Sequence, residues 1–513
     1  MINLAAAAAV LLALNLSAAD DRPDLGVMNR VRFEGLKHSQ VGKTVAYLSD
    51  VIGPRPTGSP EIDRANRWAA AKMKEWGLEN VALESYEDFG VGWAPRYVSA
   101  HLLAPHYAPL IAISVEWGSS TKGRITAAPV YVDIRSKSDF PRYKGKLGGR
   151  IVLYQPPKSV PTHFTPDARR HDAASLAALH ETPVSASEPP DPDYTRSFDD
   201  DLEDFFRAEG VGVLVSSSGN ARREYGTVTA RGVRQARDPK RARPLPEIIL
   251  AAEHYNRVHR IIEEFKEPAT MEVEVRTEFY DRDPRGYNVV GEIRGTDKAD
   301  EVVMLGGHID SWSPGTGAAD DAAGCAVSLE AVRILKALGI RPRRTVRVVL
   351  WSAEEKGWVG SKAYVERHFG DTTTMALKPE HAKVAGYFNY DNGSGRIRGI
   401  YAQSNAAVKP IFEAWLEPFH DLGATEVVMR DTGGSDHGAL DYIGLPACQF
   451  IQDPLDYGTR VHHTNMDVFD HVSVEDLMQA SVVMAAFVYN TAMREERLPR
   501  KPLPDPMSYP VRR

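Results

Sequence analysis

Cysteine is almost absent from this chain: 513 residues carry two, Cys325 and Cys448. Two thiols allow one bridge at most. Each sits in an apolar stretch, GCAVSLEAV and LPACQFI, which suits a buried free thiol and does not require pairing. An excess of basic charge is also missing. A net charge of -7 and a pI near 6.2 leave no electrostatic footprint for nucleic acid. The sequence shows no internal repeat, and its only long apolar run lies at the start, so no stable membrane span is expected once that segment is cleaved. What remains is an ordinary globular composition, 43% hydrophobic and 26% charged, long enough for roughly two to four domains.

The initial run, LAAAAAVLLAL followed by NLSAAD, reads as a secretory signal peptide over residues 1–19 with cleavage after Ala19. This makes the mature protein secreted or periplasmic. The segment before the apolar run lacks Lys and Arg, and a helical N-terminal anchor is the alternative. Further on, PEIDRANRWAAAKMKEW predicts a helix, with Ser59 as N-cap, Pro60 at the first helical position and Gly77 closing it. VALESY follows as a strand. YVSAHLLA and LIAISVEW then read as paired strands of one sheet edge.

Between about Ile125 and Glu253 the pattern changes to short β-branched strands separated by Gly and charged turns, as in APVYVDI and GVGVLVSSSG. This predicts an inserted β-rich domain over residues 120–255. Within it, the stretch from Asp167 to Phe206 is rich in Pro, Ser and Asp and reads as a surface excursion with some helix. From about Gly286 the pattern changes again. Near-continuous apolar runs, VVMLGGHIDSW, TVRVVLWSAEEKG, VAGYFNYDNGSG and LPACQFIQD, alternate with helical segments such as AGCAVSLEAVRILKALG. Buried strands between helices predict an α/β fold, a mixed but mostly parallel sheet covered on both faces, with ligands at the carboxyl ends of its strands.

That edge is where the polar residues fall. His308 and Asp310 end one strand, Glu354 and Glu355 a second, and Asp391 a third. Asp320 and Asp321 stand side by side in GTGAADDAAG, a run of residues small enough for close backbone packing, and two adjacent carboxylates need a positive partner. Acids and imidazoles converging from distant strand ends have the composition of a two-metal hydrolytic site, in which one carboxylate bridges cations about 3.5–4 Å apart.

These residues resemble the family of co-catalytic zinc exopeptidases that contains the bacterial leucyl aminopeptidases and plasma glutamate carboxypeptidase, or carboxypeptidase Q. The run from GGHIDSW through GTGAADDAAG to RTVRVVLWSAEEKGWVGS is especially similar to carboxypeptidase Q, and IGPRPTGSPE resembles the start of that catalytic domain. The resemblance implies a zinc-exopeptidase fold whose middle is a protease-associated-like domain. The catalytic domain then comprises residues 20–119 and 256–495, and residues 496–513 form a tail. It also implies two Zn2+ per chain, held by His308, Asp320, Glu355, Asp391 and His463 with Asp320 bridging, while Glu354 acts as general base and Asp310 orients the His308 imidazole. The implied substrate is a dipeptide or short peptide, and a homodimer is the implied assembly. His462 is the alternative to His463. Asp321 reads as a helix N-terminal acid. Asp436 and His437 in GGSDHG either line the site or cap a helix, and Tyr457 and Arg460 are candidates to bind a substrate carboxylate or an oxyanion. Two other functions compete, a glutaminyl cyclase-like enzyme with one zinc and a receptor-like protein without catalysis. The presence of every ligand position argues against both.

Overall fold

The computed structural model describes residues 21–87, 89–181, 198–219, 225–233 and 236–506. The expected signal peptide and the centre of the acidic, Pro-rich stretch lie outside them. Among the described residues, no helix is long and apolar enough to cross a membrane.

The main sheet has eight strands: β1 (Glu79–Tyr86), β2 (Gly286–Ile293), β3 (Lys298–His308), β4 (Arg344–Trp351), β5 (Val384–Asn389), β6 (Ile397–Tyr401), β7 (Glu426–Val428) and β8 (Ala447–Gln452). Their spatial order is β1-β2-β4-β3-β5-β8-β6-β7. The four central strands β4, β3, β5 and β8 run parallel, and antiparallel pairs flank them. Successive side chains on a strand point to opposite faces, and both faces here are apolar. On β3, Val303 and Leu305 enter one core while Met304 enters the other; on β4, Val346, Val348 and Leu350 oppose Val349 and Trp351.

Helices cover each face. One layer contains α1 (Leu25–Lys37), α2 (Pro60–Glu75), α3 (Ala323–Ala337) and α4 (Val474–Met493). The second contains helices Val359–His368 and His437–Asp441. Helix α2 starts as its sequence predicts, with the Ser59 hydroxyl accepting a hydrogen bond from Ile62 N. Helix α3 is buried through almost its whole length, and its charged pair Glu330 and Arg333 is satisfied internally and by Glu34.

Two smaller sheets are built from residues between Gly92 and Tyr280. One has strands 108–109, 92–104, 270–280 and 125–127, all antiparallel; the other has 112–114, 247–250, 213–217, 151–153 and 129–131, mostly parallel. They share a core around Leu102, Ile151, Val213, Ile248, Tyr255 and Met271, separate from the cores of the main sheet. The pairing corrects one expectation. YVSAHLLA and LIAISVEW are not the two paired strands expected: apart from one bond from Leu110 N to the Ala100 carbonyl, the first pairs with residues 270–276 and 108–109 and the second with residues 248–250, in different sheets. Alternation identifies a strand but not its partner, and the long-range partners here, residues 270–276 and 248–250, lie well over 100 residues away.

Candidate metal centre

His308 is the last residue of β3, and its ring is 1% exposed. Nδ1 lies 3.0 Å from the Asp310 main-chain carbonyl, which can only accept, so this nitrogen carries the proton and Nε2 is left to face the acids. The Asp310 carboxylate is farther away, at 3.7 Å, and works elsewhere: Oδ1 accepts from Glu354 N at 3.1 Å and Oδ2 from the Thr57 hydroxyl at 3.2 Å. Asp310 thus meets His308 closely through its main-chain carbonyl, and its side chain holds the backbone of Glu354.

His308 Nε2 is 3.2 Å from Asp320 Oδ1 and 3.5 Å from Asp391 Oδ1. On the other side of Asp320, Oδ2 is 3.4 Å from His463 Nε2, which lies 3.1 Å from Glu355 Oε2. Asp320 therefore presents one oxygen to each imidazole. His462 stacks on His463 with ring centroids 3.7 Å apart, and its Nε2 stands 3.9 Å from Asp320 Oδ2. His463 is the nearer of the two and pairs with Glu355. Asp321 turns away from this cluster: its carboxylate accepts from His308 N and from Gly324 N in the first turn of α3. A Cβ on Gly324 would stand 2.0 Å from the Tyr390 carbonyl oxygen, so only glycine permits this approach of helix and strand.

The charge pattern calls for a cation. Burial alone would lower the His308 imidazole, but the carboxylates of Asp391 and Glu354 outweigh it and hold the pKa well above the ordinary range. Burial would raise Asp320, yet His308 and His463 hold it low. Glu354 is pushed well up, chiefly by burial, and Glu355 is pushed up to about 7 by burial and then by Asp320. Asp320 Oδ2 and Glu355 Oε1 are buried and lack hydrogen-bond partners. Around a tetrahedral zinc with bonds of about 2.0–2.1 Å, neighbouring donor atoms stand about 3.3–3.4 Å apart. The separations here, 3.1–3.5 Å, match that spacing. Donor atoms gather in two groups that share Asp320, one with His308 and Asp391 and one with His462 and His463. The residues present fit a metal.

The other candidates divide. Asp436 and His437 are fully buried, and burial moves the first up to about 8 and the second down to about 4. The short helix beginning at His437 has no side-chain cap, and neither Asp436 oxygen has a hydrogen-bond partner, so the capping alternative is not realised. The Tyr457 hydroxyl is raised by burial and then by Asp320, Asp391 and Glu355. Arg460 is engaged by Asp167 at 3.0 Å and Asp456 at 3.6 Å. His163, His171 and His180 of the β-rich region contact Asp167, Ser175 and Glu426. Both thiols are buried and unpaired.

Sequence reading missed two residues that shape the loop from His308 to Asp320. The buried Arg55 guanidinium donates to the carbonyls of Ile309, Thr316 and Gly317, each at 2.7 Å. Asp467, four residues after His463, accepts from Ala319 N at 2.7 Å and Asp320 N at 3.2 Å. Carbonyls drawn to one charge and amides to the other fix the backbone that carries Asp320. The only signal of either residue was its place, Arg55 in IGPRPTGSPE and Asp467 in NMDVFD.

Residues 288–488 match Peptidase family M28. The chain is 27% identical over 460 residues to carboxypeptidase Q of Bos taurus, covering 89% of this chain and 86% of that protein. It is 26% identical to carboxypeptidase Q of Homo sapiens, with the same coverage. Among solved structures, a peptidase M28 precursor from Shewanella amazonensis SB2B superposes with a TM-score of 0.65 at 24% identity, covering 93% of this chain and 98% of that one. BSAP, a zinc aminopeptidase from Bacillus subtilis, gives a TM-score of 0.55 at 19% identity, covering 89% and 95%. These structures share the fold.

Proposed function

Starting from the chain's membership of peptidase family M28 as a zinc metallopeptidase, we propose that it is an exported two-zinc exopeptidase that hydrolyses dipeptides or short peptides. The observation that carries this reading is the division of Asp320, with Oδ1 turned to His308 and Oδ2 to His463. His308 and Asp391 would hold one ion and Glu355 and His463 the other, with Asp320 shared between them. Bound there, zinc supplies Lewis acidity for the scissile carbonyl and makes a water more acidic. Residues 120–255, the expected protease-associated-like insertion, with strands 92–104 and 270–280 beside them, partly roof the site and contribute no ligand.

Glu354 is the proton carrier. Its carboxylate, 4.0 Å from His308 Nε2, takes a proton from the attacking water and delivers it to the leaving amine. Its burial and neighbouring acids raise its proton affinity, which suits a group that must hold a proton between two steps. Asp310 Oδ1 on Glu354 N keeps this residue in place as the chain turns at Ala353, φ +56°, after the end of β4.

The test is a set of dipeptides blocked at either end, assayed with zinc and with a chelator, beside metal analysis of the purified protein. Two zinc ions per chain and chelator-sensitive cleavage of dipeptides with the required end free are expected. One ion per chain, or none, overturns the two-metal assignment.

A further inference from the structure

One acid beside the two smaller sheets, Glu116, just after strand 112–114, reaches into the structure around the metal centre. Glu116 is 1% exposed, and each of its carboxylate oxygens takes one hydrogen bond from the main-sheet half of the chain. Oε2 is 2.9 Å from Lys356 Nζ, and Oε1 accepts from Ser313 N at 2.8 Å. Lys356 directly follows Glu355. Ser313 directly follows Trp312, whose ring lies 5.5 Å from the His463 imidazole. The Lys356 ammonium sits 3.2 Å from the centroid of that same indole and 5.4 Å from that of Trp117, the residue after Glu116.

The backbone around Glu116 extends the grip. Glu116 N donates to the Arg231 carbonyl and Val233 N to the Glu116 carbonyl, which ties Glu116 to the segment 228–233. That segment holds the His463 loop: Ala230 N donates to the His463 carbonyl at 2.7 Å, Asn465 N to the Val228 carbonyl at 3.1 Å, and Thr229 pairs with Thr464. His463 has φ +58°, a left-handed conformation unfavourable for a side chain with a Cβ, so its backbone needs such restraint.

We infer that Glu116 is a positioning residue for the outer half of the metal centre, setting Glu355 through Lys356 and His463 through Trp312 and the 228–233 segment. The inference rests on the two-metal reading above. It makes the region of the two smaller sheets part of the scaffold of one ion more than of the other, because the ties of Glu116 fall beside Glu355 and on the ring next to His463, while His308 and Asp391 stand at strand ends of the main sheet.

The experiment titrates the metal-stripped full-length protein with zinc chloride, by calorimetry and by metal analysis after dialysis, for the wild type, Glu116→Ala, Glu116→Gln and Glu355→Ala. A glutamine oxygen can satisfy only one of the two donors that Glu116 serves. In Glu116→Ala one binding step should weaken by about 10- to 100-fold while the other stays within about twofold, the usual reach of a residue that orients a ligand. Glu116→Gln should fall between. Glu355→Ala, which removes an outer ligand, should abolish that same step. Glu116→Ala leaves a buried lysine unpaired and can destabilise the fold, so the double variant Glu116→Gln, Lys356→Met, which removes both charges, is measured beside it. It should show the same selective weakening with Tm near that of the wild type. Two unchanged steps, or both steps weakened together, overturn the inference. A wild type that takes up a single ion overturns the two-metal reading, and the inference with it.

Discussion

The two halves of the site are built in opposite ways. His308 and Asp391 come from strand ends inside the main sheet; His308 is 1% exposed, and its ring is oriented by a carbonyl two residues away. His463 has a side chain 32% exposed, sits on a loop in a left-handed backbone conformation, and takes its restraint from residues more than 200 positions earlier. Glu355 follows a second left-handed residue, Ala353. Regular strands position a ligand at no added conformational cost, whereas each left-handed residue costs about 1–3 kcal/mol that neighbouring contacts must offset. One half thus rests on strands of the main sheet and the other on loop backbone held by residues 228–233.

The largest way to break this contrast is to remove the residue common to both halves. Asp320→Ala should release both ions and reduce peptide hydrolysis to background; metal analysis showing one ion retained at full occupancy would place the bridge elsewhere. Next comes the separation of neighbours. Glu354→Gln keeps size and hydrogen bonding but removes basicity, so turnover should fall by about 10²–10⁴ with both ions held. Glu355→Ala should instead lose an ion together with activity. A Glu354→Gln protein that lost metal, or turned over near the normal rate, would contradict the assignment.

Asp310→Ala sharpens the contrast from the inner side. It should weaken zinc binding by about 10- to 100-fold through the loosened strand end and lower turnover as well, since Glu354 N loses its acceptor. Unchanged affinity and turnover in a zinc titration and a dipeptide assay would show that the backbone alone suffices. A control far from both halves comes last. Lys72 and Glu75 form an exposed i,i+3 pair on α2, and Lys72→Ala should change unfolding free energy by about 0.5 kcal/mol or less in a denaturant titration, with metal content unaltered.

Much of the main sheet was legible because its information is local. Short apolar runs such as VVMLGG and VRVVLW, rich in β-branched residues, read as strands buried on both faces, and Ser59-Pro60 reads as a helix start. The residues gathered at the metal centre were legible for a related reason, since acids and imidazoles at the ends of such strands must converge at one edge. The two strands wrongly paired, YVSAHLLA and LIAISVEW, show the limit. Each has a strand's alternation, but a strand's edge hydrogen bonds accept any partner of suitable register, and only the shared core around Leu102 and Tyr255 selects it.

The sequence by itself offered the groups that could carry chemistry: His308, Glu354, Glu355 and Asp391 by their places at strand ends, and Asp320 and His463, with the division of roles among all six, through the resemblance to the zinc exopeptidases. Only the tertiary structure decided how those groups are held. Arg55 collects the carbonyls and Asp467 the amides of the loop bearing Asp320, the Asp310 side chain holds Glu354 N, and Glu116, just past strand 112–114, reaches across to Lys356 and Ser313. Donor chemistry belongs to single residues and is written locally, whereas a hydrogen bond depends on distance and direction between groups hundreds of positions apart, which packing alone sets.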